Sequence, residues 1–186
     1  MRWIFLFLCI YCSSVFCSDF RSLNDIFQKD YADFNLALPS SSHYVIEKID
    51  FAQCPSFYVF GDKKKVEYLK KTLGKEAADP KDTFIAFFPH ELDEKTSQNI
   101  SQLVDVIGIQ LQSLGGEVAR EKAMCGKYPV HLFTLKTKEQ DGTYLSHIAL
   151  IDFSPKKFCL QMNFSCRENT GDPLLEVWNR LIKESK

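Results

Sequence analysis

The chain has 186 residues, 45% of them hydrophobic and 25% charged, with a net charge of −1 and a pI of about 6.4. That composition is globular and not disordered, and the length suits one domain. A charge so near zero gives no drive toward phosphate backbones, which argues against a nucleic-acid partner.

The N-terminus carries one positive charge at Arg2, then a short apolar run from Trp3 to Tyr11, then small and polar residues up to Cys17. This order reads as an export signal peptide over residues 1–17, with Val15 and Cys17 at the two cleavage-site positions. The run is too short to span a bilayer, which takes ~20 apolar residues. Residues 18–186 are therefore expected to be a single α+β domain in a secreted or periplasmic protein. Acylation of Cys17 would tie the chain to a membrane, although Phe16 is bulkier than a lipobox usually holds at that place.

In the mature chain, Leu23, Ile26 and Phe27 predict a short helix over 20–31, and the alternation over 34–38 predicts a strand stopped by Pro39. Strands are expected over 44–51 and 57–60. Asp62 is placed to cap a helix running to Leu73 and closed by Gly74, with 63–65 as its solvated first turn. The apolar run 83–88 predicts a strand ending at Pro89. Ile100, Leu103, Val104, Ile107, Leu111 and Leu114 recur at three and four, one face of a helix that Gly115-Gly116 ends. A strand over 117–124 follows, then an antiparallel meander, then a helix opened by Asp172-Pro173 with the stripe Leu174, Val177, Trp178 and Leu181.

Turns in the meander predict its register. With Asp141-Gly142 as a two-residue hairpin turn, Val130 faces Phe153 and His131 faces Asp152. With a turn over 154–157, Phe153 faces Phe158 and Asp152 faces Cys159. One face then gathers Val130, Leu132, Ile151, Phe153, Phe158, Leu160, Met162 and Phe164. The other gathers Phe133, Leu135, Ile148 and Leu150 among the polar His131, Asp152, Gln161 and Asn163. Both faces need cover, so the expected architecture is a largely antiparallel sheet with helices packed on it, an α/β/α sandwich.

The chemistry-bearing residues are few. His131, Asp152 and Cys159 side by side have the parts of a thiol nucleophile site, but the carboxylate lies between base and thiol, so the imidazole cannot take the thiol proton. His90-Glu91 lacks the second histidine of a zinc protease motif. Cys54, Cys125, Cys159 and Cys166 remain after signal cleavage, an even number that allows two disulfides in three connectivities or simple buried thiols. Asn99 and Asn163 open glycosylation sequons. No catalytic, cofactor-binding or metal-ligating residue is expected.

From 34 to 185 the chain resembles the PsbP-like and DcrB-like α/β/α sandwich group, which includes extrinsic photosystem II subunits, exported bacterial lipoproteins and a Ran-binding import factor. The likeness lies in the order of elements: a strand running into Pro39, an apolar strand before the long helix ending at Leu114, the turn Cys125-Gly126-Lys127-Tyr128-Pro129, a three-strand meander, and a last helix ending Leu181-Ile182-Lys183-Glu184-Ser185. The resemblance implies a binding or assembly protein without an active site. The leading expectation is thus an exported, non-enzymatic accessory protein that meets a protein partner at or near a membrane. Tyr44, Phe57, Tyr58, Phe60 and Tyr128 are its candidate aromatic anchors. The alternatives are an NTF2-like carrier of a small molecule or lipid, with a pocket beneath the long helix, and a thiol enzyme using Cys159 or Cys54.

Overall fold

In the computed structural model, the described residues are 43–51, 54–72, 83–92, 100–125, 127–156 and 158–183. The expected signal peptide with Cys17, the helix at 20–31, the strand at 34–38, Gly74 and Asn99 lie outside them. The elements run β1 (Tyr44–Phe51), β2 (Cys54–Asp62), α1 (Lys63–Thr72), β3 (Phe84–Glu91), α2 (Ile100–Ser113), β4 (Glu117–Cys125), β5 (Tyr128–Glu139), β6 (Gly142–Phe153), a 3-10 turn (Ser154–Lys156), β7 (Phe158–Arg167) and α3 (Pro173–Lys183). All seven strands join one antiparallel sheet in the order β1-β2-β3-β7-β6-β5-β4, so the α+β class is as expected.

The strand order comes from one non-local pairing. The β1–β2–β3 unit and the β4–β7 meander are each built from neighbours in sequence, and β3 joins β7 along seven residue pairs, from Ile85 with Phe164 to Glu91 with Phe158. β7 is therefore internal, and nearly every one of its side chains is buried on either face. Such a strand has no polar face to show, which explains its run of apolar residues broken only by Gln161, Asn163 and Ser165.

Helices cover both faces. On one, Leu174, Trp178, Leu181 and Ile182 of α3 pack on Val130, Ile151, Phe153, Leu160, Met162 and Phe164. On the other, Val104, Ile107 and Leu111 of α2 pack on Phe133, Leu135, Ile148 and Leu150. Beside them Val66 and Leu69 of α1 pack on Ile49, Val59, Ala86 and Phe88. The core is thus three clusters in three layers, and the meander faces divide as the alternation predicts.

The helix ends follow their caps. Asp62 Oδ1 accepts the backbone N–H groups of Lys64 at 3.0 Å and Lys65 at 3.3 Å, and Asp172 Oδ1 accepts that of Leu174 at 2.8 Å. α2 stops at Gly115, whose φ of 76° suits the residue after a helix, and Gly116 then passes close to β5.

Two expectations are corrected. The β5–β6 turn is Gln140-Asp141, so Glu139 faces Gly142 and Val130 faces Ile151, two residues from the predicted register. Gly142 belongs to the strand, where a side chain would meet Arg167 Nε at 2.6 Å while that guanidinium donates to the Asp141 carbonyl. Its φ of 152° is a backbone conformation that residues with a side chain rarely adopt, whereas the guanidinium is the end of a flexible side chain that can move aside. A slip of two preserves the parity of every side chain, which is why the faces survive the error. The β6–β7 register, with Phe153 opposite Phe158, is as expected. Secondly, β3 does not end at Pro89 but continues to Glu91. Its pairing with β2 reaches only to Phe87, so Pro89 pairs with β7 alone, and a missing N–H is tolerated on its side without a neighbouring strand.

Gly115 and Gly116 separate two causes of strain. A Cβ at Gly115 meets open space, so Gly115→Ala carries only the left-handed backbone cost of about 1 kcal/mol. A Cβ at Gly116 would lie 2.6 Å from the Lys136 carbonyl oxygen and 2.5 Å from Leu135 Cδ1, so Gly116→Ala should cost more, about 1–3 kcal/mol. Urea unfolding of both variants measures the difference directly.

Candidate functional site

Two of the polar residues that the sequence sets on the second sheet face, Gln161 and Asn163, form with His90 a file at the seam between the α1 and α2 clusters. His90 on β3 lies across from Cys159 on β7, which lies across from Asp152 on β6. His90 Nε2–H donates to Gln161 Oε1 at 3.2 Å, and Gln161 Nε2 donates to Asn163 Oδ1 at 3.0 Å. Because that Gln161 oxygen only accepts, the bond sets the imidazole tautomer with the proton on Nε2. Burial pushes the His90 pKa below its ordinary value, and the bond to Gln161 offsets only part of that. Gln161 and Asn163 are each 2% exposed, the two buried polar residues of the sheet interior. They satisfy one another in the way buried amides require. Asn163 is thus closed to a glycosyl donor in the folded chain.

The expected His131–Asp152 pair does not form. The two-residue register shift puts His131 opposite Leu150 on β6 and Lys122 on β4. Burial first, then the charges of Lys122 and Arg120, hold its pKa down, against weaker opposite pulls from Asp152 and Asp105. Asp152 instead fastens the β6–β7 turn, its Oδ1 accepting the Ser154 backbone N–H at 2.8 Å and the Ser154 hydroxyl. The strand order brings a different histidine, His90, beside Cys159, which is fully buried. The sequence could not supply that neighbour, because the β3–β7 pairing is non-local.

The cysteines occupy separate parts of the sheet. Cys125 ends β4 and Cys166 lies near the opposite end of β7, both on the α3 face, whereas Cys159 is on the α2 face. Cys54 begins β2, two strands from β7 in the sheet order. No disulfide is seen among the described residues, and Cys125, Cys159 and Cys166 are buried thiols. Cys125 Sγ donates to the Leu181 carbonyl at 3.6 Å. Burial, with Asp172 nearby, pushes the Cys166 thiol up to about 11, far from the thiolate that nucleophilic chemistry needs.

The five candidate anchors belong to the interior or its margin. Phe57, Tyr58, Phe60 and Tyr128 are buried, and Tyr44 is half-buried with its ring stacked on Phe60 at 5.5 Å. Phe57 stacks on Phe88 at 5.0 Å, and Tyr128 lies 4.3 Å from Phe153. The exposed large apolar side chains are others: Val106 at 48% and Ile109 at 66% on α2, Met124 at 55% on β4 and Tyr68 at 50% on α1. The signal for Val106 and Ile109 was in the sequence, since they are apolar yet out of phase with the buried stripe of their helix.

Among the described residues no group of three or more metal-ligating side chains converges, and no helix is long and apolar enough to cross a membrane. A half-open groove of about 330 Å³ lies where α2 turns into β4, lined by Leu114, Gly116, Glu117, Lys136 and Lys138. Its Lys136 is held by Glu168 at 2.7 Å. No family model matches the chain, and no curated protein matches it.

Buried thiols resist alkylation until the sheet opens. Mass spectrometry after a short iodoacetamide pulse should find Cys125, Cys159 and Cys166 unmodified in the native chain and fully modified in 6 M guanidinium. Rapid native labelling of Cys159 would revive the thiol-enzyme alternative.

Proposed function

We propose that the protein is an exported, non-enzymatic binding protein that holds a protein partner on the outer surface of α2 and the adjoining strand β4. The observation that carries this reading is the exposure of Val106, Ile109 and Met124 on two neighbouring elements that Arg120 ties together through Asp105 at 3.1 Å. Exposed apolar side chains within a charged surround are the usual basis of a protein contact.

Strand addition fits less well. Both edge strands carry charge in their middles, Glu47, Lys48 and Asp50 on β1, and Arg120, Glu121 and Lys122 on β4, which opposes pairing with another strand. The carrier alternative needs an apolar chamber under α2, whereas Val104, Ile107 and Leu111 pack directly on Phe133, Leu135, Ile148 and Leu150. The thiol alternative needs an accessible thiolate, and Cys159 is wholly buried. Kinship with the PsbP-like group remains part of this proposal, supported by a meander followed by a helix that closes one sheet face.

The test is a cross-linked pull-down of the protein from its native envelope or medium, run in parallel with a Val106→Lys/Ile109→Lys variant. The two residues are exposed, so the variant should keep its unfolding free energy within about 0.5 kcal/mol of the parent. A partner recovered by the parent and reduced at least tenfold by the variant supports the reading. A partner retained equally by both places the contact elsewhere.

A further inference from the structure

We propose that α3 is an acid-loosened cover, released from the sheet when His147, which lies between Thr134, Phe164 and Trp178, takes up a proton. His147 stands on β6 with Thr134 opposite on β5 and Phe164 opposite on β7. Its Nδ1 is 3.1 Å from Thr134 Oγ1, and its ring stacks on Phe164 at 6.0 Å and meets Trp178 of α3 at 5.9 Å. Nε2 is buried and has no hydrogen-bond partner among the described residues.

That arrangement suits one protonation state. In the neutral ring one tautomer puts the proton on Nδ1, which donates to the Thr134 hydroxyl, and leaves Nε2 as an uncharged acceptor, a smaller burden than an unpaired N–H. Protonation adds a second N–H that has no acceptor and puts a charge between aromatic rings under a helix. The ring faces attract the cation but offer it no acceptor.

The surroundings do little to offset this. Among the described residues the charged groups on the same sheet face include Glu117 and Glu121 on β4, Lys136 and Lys138 on β5 and, farther off on β1, Lys48, which pairs with Asp50; Lys136 is bound to Glu168 just past β7. Asp172 precedes α3, and Glu176 and Arg180 on α3 are exposed. Cys166, two residues from Phe164, stays a thiol. Burial alone lowers the His147 pKa, with no charge entering.

The sign follows directly. The docked imidazole titrates below the ordinary value of 6.5 and the undocked one near it. Docking is therefore strongest above about pH 6.5. The docked fraction's advantage falls by up to tenfold per pH unit below that, until the docked ring itself titrates. Leu174, Trp178, Leu181 and Ile182 lift together, and the apolar surface uncovered includes Leu160, Met162 and Phe164. The device is independent of the α2 surface.

The experiment uses the full chain carrying Trp3→Phe, so that Trp178 is its single indole. Its emission is followed from pH 8 to pH 5 beside far-UV circular dichroism. The expected result is a red shift of Trp178 emission below pH 6.5 while the strand signal stays constant. His147→Gln should remove the shift and His90→Gln should keep it. Should His147→Gln not fold, imidazole NMR titration of the parent decides: a His147 pKa clearly below 6.5 supports the proposal. Emission flat over the whole range, a shift that survives His147→Gln, or a His147 pKa at or above 6.5 overturns it.

Discussion

Everything in this molecule hangs on the antiparallel contact between β3 and β7. Each half of the chain folds locally, β1 to β3 as one unit with α1 and β4 to β7 as a meander. Neither half alone can bury both faces of its inner strand. Joining β3 to β7 makes both strands interior and lets Ile85, Phe87, Met162 and Phe164 share one apolar face. It also sets His90 beside Gln161 on the other face, where the hydrogen-bonded file separates the α1 cluster from the α2 cluster. A polar file in an otherwise apolar interior adds specificity of register, because any slip would strand two amides and an imidazole without partners.

Local signals were read well and non-local ones were not. Asp62, Asp172 and Gly115 marked helix ends because capping depends on a few adjacent residues. The meander faces were legible because alternation has a period of two, and the β5–β6 register missed by two because Gly142 was assigned to the turn. What suits that position to glycine is its φ of 152° at the start of β6, just after the turn residue Asp141. Pro89 misled for another reason: whether a strand tolerates proline depends on which side its neighbour lies, and that neighbour is remote in sequence.

The candidate chemistry followed the same division. His131, Asp152 and Cys159 were gathered by a hairpin register, and the shift dissolved the His131–Asp152 pair while leaving Asp152 opposite Cys159. Of the aromatic residues named as anchors, Phe57, Tyr58 and Phe60 on β2 and Tyr128 on β5 are buried, and Tyr44 on β1 is half-buried. Cys125, Cys159 and Cys166 are distributed over two faces and opposite ends of the sheet, where each packs as a small hydrophobe. The large apolar side chains exposed among the described residues are Tyr68 on α1, Val106 and Ile109 on α2 and Met124 on β4.

The most direct test of the β3–β7 contact is residue-resolved amide hydrogen exchange under native conditions. The account predicts that the amides of Ile85 to Phe88 and of Leu160 to Phe164 are the slowest in the chain and exchange together, only through global unfolding. Exchange of β7 amides as fast as those of the edge strand β4, or a β3 that opens independently of β7, would contradict it.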